Sequence, residues 1–237
     1  MALVEVKNLV KNYGSIEAVK GISFSVNQGE IFGLIGPNGA GKTTTLRVIS
    51  TLLTITSGSI KIMDYDLKNE PNKIRKIISY LPEDAGAYKN LTGRRYLEFI
   101  ANFFEKNNLQ QMIAKGEEIA DLGDRINDKV DTYSKGMMRK LLVGRALMTG
   151  PKLAILDEPT AGLDVNNAQE IRKLVKSTAK QGTTILLSSH NMLEVEFLCD
   201  KIALISDGII VEQGTPKNLM NKYDAKNIEE VFTKVVK

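Results

Sequence analysis

Gly36-Pro37-Asn38-Gly39-Ala40-Gly41-Lys42-Thr43-Thr44 is the stretch whose residue types and spacing most directly imply chemistry. It reads as a glycine, four residues, then Gly-Lys-Thr. Glycines allow the main chain to curl so that successive N–H groups face phosphate oxygens, and a helix that follows adds its positive N-terminal end. Lys42 can reach the β- and γ-phosphates of a nucleotide, and the Thr43 hydroxyl can ligate Mg²⁺. Such a pattern arises by chance in roughly one chain in a hundred of this length. Here it also follows a strand-like run and opens a helix-like one, which is the context it requires, so Gly36 to Thr44 are the candidate nucleotide-binding residues.

Two further groups fall where such a site needs them. Leu153-Ala154-Ile155-Leu156-Asp157-Glu158 is an apolar run that ends in two carboxylates. Ligands of open α/β sheets bind at the C-terminal ends of strands. Asp157 is therefore placed to hold a metal, directly or through water. Glu158, one residue on, could polarise the attacking water as general base. Without the phosphate loop, a solvated acidic pair would be the simpler reading. His190, the sole histidine, sits in Ser188-Ser189-His190 just past another strand-like run. A lone histidine is by default structural, but this position lies on the nucleotide side, where it could donate a hydrogen bond to the γ-phosphate. Cys199, the sole cysteine, has no catalytic signature around it and reads as buried packing.

The elements that must position these groups alternate short β-branched runs with longer helical stretches, as in a mostly parallel sheet covered by helices. Ile31 to Ile35, Lys152 to Leu156 and Thr183 to Leu187 read as core strands, with helices from about Gly41 to Leu52 and Asn166 to Lys180. Lys201 to Ser206 and Ile209 to Glu212 flank Asp207-Gly208, a hairpin signal. Val4 to Leu9 and Gly21 to Val26 alternate as antiparallel edge strands do. From Thr92 to Leu147 the chain turns helical, and Tyr96, Phe99, Ile100 and Phe103 recur at three-and-four spacing. That aromatic stripe is expected to be the core of an inserted helical subdomain. The tail, Asp224 to Lys237, reads as a short amphipathic helix packing on the protein's own core through Ile228, Val231, Phe232 and Val235.

Composition narrows the class. The 237 residues can bury a full core, and 43% apolar with 25% charged residues is ordinary for a soluble globular protein. A net charge of +4, from 32 basic against 28 acidic residues, makes no case for nucleic-acid binding. One cysteine excludes an internal disulfide framework and fits a reducing compartment. No leader is visible at Met1 to Lys7, and no apolar run approaches the ~18 residues of a membrane span. A membrane role would have to come through a partner.

With these residues in hand, the chain from about Leu3 to Gly214 closely resembles the ABC ATPase family. The resemblance implies a P-loop NTPase of RecA-like α/β class, with an N-terminal antiparallel β subdomain and an inserted α-helical one. It implies one ABC ATPase domain over 1–220 and a helical tail over 221–237. Within the domain, 1–91 and 148–220 form the core and 92–147 the helical subdomain. Ser134-Lys135-Gly136-Met137, after Tyr133, looks like the signature loop, usually Leu-Ser-Gly-Gly-Gln, which in the family meets the γ-phosphate held by the other subunit. Ser134, Lys135 and Gly136 join the nucleotide contacts on that basis, with a helix start offering a second anion site. Tyr13 resembles the aromatic residue that stacks on adenine, Pro159 to Asp164 the loop linking two sites across the dimer, and His190 the switch histidine.

Departures from the family pattern carry information. Glu83 stands where glutamine is usual, after Tyr80-Leu81-Pro82, so a metal or water contact there is through a carboxylate. Lys135 and Met137 replace Gly and Gln, and Val165 stands where proline is common. Glu83, Lys135 and Met137 together resemble the branch that pairs with exporter-type permeases. The implied reaction is hydrolysis of ATP with Mg²⁺, using Lys42, Glu83, Glu158 and His190, with Thr43, Glu83 and Asp157 toward the metal. The implied partners are a second ABC ATPase subunit, the same chain or a close homologue, and integral membrane permease subunits. The location implied is cytoplasmic, peripheral on the inner face of the cell membrane. DNA-repair and chromosome ATPases share this head but carry a long coiled coil, and Asn107 to Asp131 is too short and lacks sustained heptads. A non-enzymatic nucleotide switch is disfavoured by the intact Glu158.

Overall fold

The computed structural model describes residues 1–104 and 108–236; Asn107 and Lys237, which end two of the stretches read above, lie outside the described residues. Short runs with an apolar centre become central strands. β3 (Ile31–Ile35), β7 (Leu153–Asp157) and β8 (Thr184–Ser189) are buried along their whole length. With β6 (Ile78–Leu81), β9 (Lys201–Ser206) and β10 (Ile209–Gly214) they form a six-stranded sheet in the order β10-β9-β3-β8-β7-β6. All neighbours are parallel except β10, which returns from β9 through the Asp207-Gly208 hairpin.

The pleat of these strands divides the interior in two. Ile31, Ile35, Ala154, Leu156, Ile185 and Leu187 face one apolar cluster, while Phe32, Leu34, Leu153, Ile155 and Leu186 face another. The second cluster is closed by a four-stranded antiparallel sheet, order β2-β1-β4-β5, from β1 (Ala2–Tyr13), β2 (Ile16–Asn27), β4 (Ser57–Ile62) and β5 (Tyr65–Asp66). Between the sheets runs α1 (Lys42–Ile49), shorter than the stretch expected to Leu52: at Thr51 the main chain turns left-handed, with φ of 64°. A short α2 (Pro71–Arg75) leads into β6.

On the other face lie α3 (Gly93–Ala101), α4 (Leu109–Ala120), α5 (Lys135–Leu147), α6 (Val165–Lys180) and α7 (Met192–Leu198), followed after β10 by α8 (Pro216–Lys222) and α9 (Ile228–Val235). The helical insertion is present, but its aromatic stripe is not its core. Tyr96 is 2% exposed, whereas Phe99 is 40% and Phe103 73% exposed. Gly93, Tyr96, Leu97 and Ala101, at i, i+3, i+4 and i+8, form the buried face of α3. That face is centred between Tyr96 and Leu97, which leaves Phe99 at its edge, and the helix stops before Phe103. Tyr88, Phe99 and Phe103 instead stack edge to face on the surface, each step 5.2 Å between centroids. Leu141, Leu142, Val143 and Leu147 of α5 share a cluster with Leu156 and Ile185, so α5 belongs as much to the α/β core as to the insertion. The tail packs as its pattern implies: Ile228 and Val231 are fully buried in that same cluster, and Cys199 is buried there too.

Candidate functional site

The loop from Gly36 to Gly41 joins β3 to α1, and its shape depends on lacking side chains at two points. A Cβ at Gly36 would lie 2.1 Å from the Ile205 carbonyl oxygen, so the loop can rest on β9 only with glycine there. Gly41 adopts φ of 99°, and a Cβ would meet the Ala18 carbonyl at 2.6 Å. Residues 38–44 with Ala18, Glu83 and Glu158 line a cavity of about 300 Å³ over the start of α1. Gly36 and Pro37 contribute from beneath: Lys42 Nζ donates to their carbonyls at 2.8 and 3.1 Å. The Lys42 side chain is thus folded into the loop and buried, with Glu158 Oε1 3.4 Å away.

Asp157 ends β7 and is fully buried, which demands partners for its charge. It accepts three hydroxyl hydrogen bonds, from Ser188 at 2.6 Å, Thr43 at 3.2 Å and Tyr80 at 3.3 Å. Burial and the Asp157 charge push the Tyr80 phenol up to about 12, so it stays a donor. The Tyr80 hydrogen bond in turn holds the Arg47 guanidinium above its ordinary range. Glu158 turns away from the strand in a left-handed conformation, φ 48°, rare for a non-glycine and concentrated at functional sites. Its N–H donates to Ser188 Oγ at 2.9 Å, which ties the turn to the hydroxyl that holds Asp157. Glu158 Oε2 lies 2.8 Å from His190 Nδ1, and the His190 N–H donates to it at 3.3 Å. Oε1 is buried without a hydrogen-bond donor.

Lys42, Thr43, Glu83, Asp157, Glu158 and His190 therefore converge on one cavity or on each other. Tyr13 does not line it: at the end of β1, it is 45% exposed with Lys11 Nζ 5.3 Å above its ring. Ser134 and Lys135 line a different cavity of about 310 Å³, between the start of α5, residues 161–163 and Ala85, whereas Gly136 is buried and does not line it. Ser134 caps α5 by accepting the Met137 N–H. Asp164 caps α6 through Asn167, and that side chain occupies the space a Cβ on Gly136 would need, at 2.1 Å. Three residues that hold the site were not singled out from the sequence: Ser188, Tyr80 and Arg139, whose Nη2 donates to the Glu83 carbonyl at 3.0 Å. Ser188 and Tyr80 stood in quoted segments, as hydroxyls at the ends of strands beside Asp157. Arg139 carried no signal beyond its type.

The donor set around Asp157 is hydroxyl and carboxylate oxygen, which suits a hard cation. Among the described residues no group of three or more His, Cys, Asp or Glu could enclose a metal. A hard cation such as Mg²⁺ takes one or two carboxylates and fills its remaining positions with water and substrate phosphates.

Comparison with known proteins places the chain among one family. Residues 19–161 match the family described as ABC transporter. The linearmycin resistance ATP-binding protein LnrL of Bacillus subtilis is 38% identical over 228 residues, covering 95% of this chain and 73% of the relative. The bacitracin transport ATP-binding protein BcrA of Bacillus licheniformis is 36% identical, covering 96% and 74%. Among solved structures, an ATP-binding subunit of an ABC transporter superposes with a TM-score of 0.87 at 28% identity, over 99% of this chain and 100% of the other. A dimeric ATP-binding cassette in a post-hydrolysis state, bound to ADP and Pi, gives 0.78 at 25% identity, over 90% and 98%.

Proposed function

Since the chain belongs to the ABC transporter family as an ATP-binding, ATP-hydrolysing subunit, we propose that it powers export through separate membrane permease subunits. Its residues do so by hydrolysing Mg-ATP at sites completed by a second subunit. The observation that carries the catalytic part is Glu158 Oε1, a buried carboxylate oxygen with no donor, set between Lys42 and the cavity wall. A buried acceptor without a donor is where a water can be bound and deprotonated. The left-handed turn and the Ser188 bond aim it there.

Lys42 must leave the Gly36 and Pro37 carbonyls to reach a γ-phosphate, and in doing so it releases Glu158 to act as base. With Nδ1–H on Glu158, His190 donates from Nε2 to the same phosphate as the imidazolium, both ring nitrogens carrying a proton. Thr43, Asp157 and Glu83 would hold Mg²⁺, which when bound neutralises charge on the phosphate oxygens. Main-chain N–H groups of residues 38–44 bind the phosphates, and Tyr13 covers the adenine. Ser134 and Lys135, in their own cavity, and Gly136 next to them in the chain serve the nucleotide of the partner subunit. That separation is the reason for two chains around two nucleotides. Among the described residues no helix is long and apolar enough to cross a membrane. The exposed Tyr88, Phe99 and Phe103, close in sequence to Glu83, offer the permease an aromatic docking face. Relatives named for antibiotic resistance support export over import.

The Glu158→Gln variant tests this by light scattering. It should be monomeric alone and dimeric with Mg-ATP, with steady-state hydrolysis reduced by a factor on the order of 10² or more. Unchanged hydrolysis would remove Glu158 as base. A monomer that still binds ATP would replace the homodimer by a heterologous pair.

A further inference from the structure

Arg139 lies on α5, five residues after Ser134, and reaches across to the loop after β6, where its Nη2 holds the Glu83 carbonyl at 3.0 Å. Its Nη1 is buried and has no acceptor. An orphaned guanidinium N–H forfeits the hydrogen bonds it had in water, and a native structure seldom leaves one without a purpose. Burial draws the guanidinium below its ordinary range, while the charges of Glu83 and Asp157 act in the opposite direction. The side chain that lines the nucleotide cavity at this point is Glu83 itself. Glu83 thus presents a bonded carbonyl to the guanidinium and, through its carboxylate, a charge that acts on it.

We propose that Arg139 is the positioning residue for Glu83: Nη2 holds its main chain, and the unpartnered Nη1 is left to take one carboxylate oxygen when the metal nucleotide binds, which aims the other oxygen at the metal. A planar guanidinium can span both acceptors, which a lysine ammonium does less well. A neutral glutamine amide at position 83 could accept a hydrogen bond from it but would bring no opposite charge, so the ion pair belongs with the carboxylate. Because α5 starts at Ser134, the same bond ties the helix serving the partner's nucleotide to the loop serving this chain's own. This inference rests on the assignment of Glu83 to the metal.

The test is binding of Mn²⁺, an EPR-visible substitute for Mg²⁺, to the full chain with a non-hydrolysable ATP analogue. Arg139→Gln should weaken Mn²⁺ binding about 10-fold, the usual scale for removing a group that orients a ligating carboxylate. Arg139→Lys should recover part of the loss. In a Glu83→Gln background, Arg139→Gln should produce no further weakening. If Glu83→Gln weakens Mn²⁺ but Arg139→Gln does not, the inference fails and Glu83 remains a metal-side residue. If Glu83→Gln itself leaves Mn²⁺ binding unchanged, the assignment of Glu83 fails and the inference with it. Should Arg139→Gln not fold, judged by thermal melting, Arg139→Lys decides. Weakening that is present in the wild-type background and absent in the Glu83→Gln background supports the inference, and wild-type binding overturns it.

Discussion

The Ser188 hydroxyl donates to Asp157 at 2.6 Å and accepts the Glu158 N–H at 2.9 Å, so one small side chain sets two carboxylates with different tasks. Asp157 keeps acceptor capacity for a cation because its donors are hydroxyls, not a cationic partner. Glu158 keeps its left-handed turn because its N–H has a fixed acceptor. Ser188→Ala removes both bonds and leaves a buried N–H without a partner. The expected cost is about 1–3 kcal/mol in urea unfolding, together with a fall in kcat that exceeds any change in KM for ATP. Equal kcat in a destabilised variant would show that the hydroxyl serves folding alone. The Lys42 bonds to Gly36 and Pro37 add a second lesson at this scale: the phosphate loop satisfies its own lysine until a nucleotide replaces those carbonyls.

Among the elements, β10 and α8 are joined by a polar clamp. Glu212 on β10 takes hydrogen bonds from Lys222 and from the Tyr223 hydroxyl. Burial pulls the Glu212 carboxyl upward, but those two donors outweigh it and hold it below its ordinary 4.5. A carboxylate depressed on folding adds stability that is present above 4.5 and lost as pH falls through the lower folded value. Glu212→Gln should therefore lower the urea midpoint at pH 7, and the gap from wild type should close as pH falls below 4.5 and through the lower folded value. A gap that persists in acid would assign the effect to packing. Legibility differed between elements for physical reasons. β3, β7 and β8 each carry a run of apolar residues and were plain in the sequence, as was the loop whose Gly-Lys-Thr spacing serves phosphate. β4 and β6 were not, since Ser57-Gly58-Ser59 and Ser79 interrupt strands with fewer neighbours to bury against. The stripe of Tyr96, Phe99 and Phe103 had helical spacing, yet spacing alone could not tell that α3 ends before Phe103. Arg139 was invisible because its role depends on a partner 56 residues away in sequence.

For the molecule as a whole, the question is whether the tail is an appendage or part of the cooperative unit that carries the site. Ile228 and Val231 are fully buried in the cluster that contains Val195 and Leu198 of α7, and α7 begins two residues after His190. The Ile228 N–H also donates to Glu196 of that helix at 2.6 Å. An Ile→Ala change in a core typically costs about 2–5 kcal/mol, roughly a third of a domain stability of about 5–15 kcal/mol. If α9 unfolds together with the rest, Ile228→Ala loses that amount from the global transition, and circular dichroism and ATPase activity fall at the same, lower urea concentration. If α9 frays by itself, the global midpoint stays at the wild-type value and only the early, local opening grows. The burial of Ile228 against the helix that follows His190 favours the first outcome: the C-terminal helix is then a wall of the core on which the nucleotide site is built, and damage there reaches the site through stability.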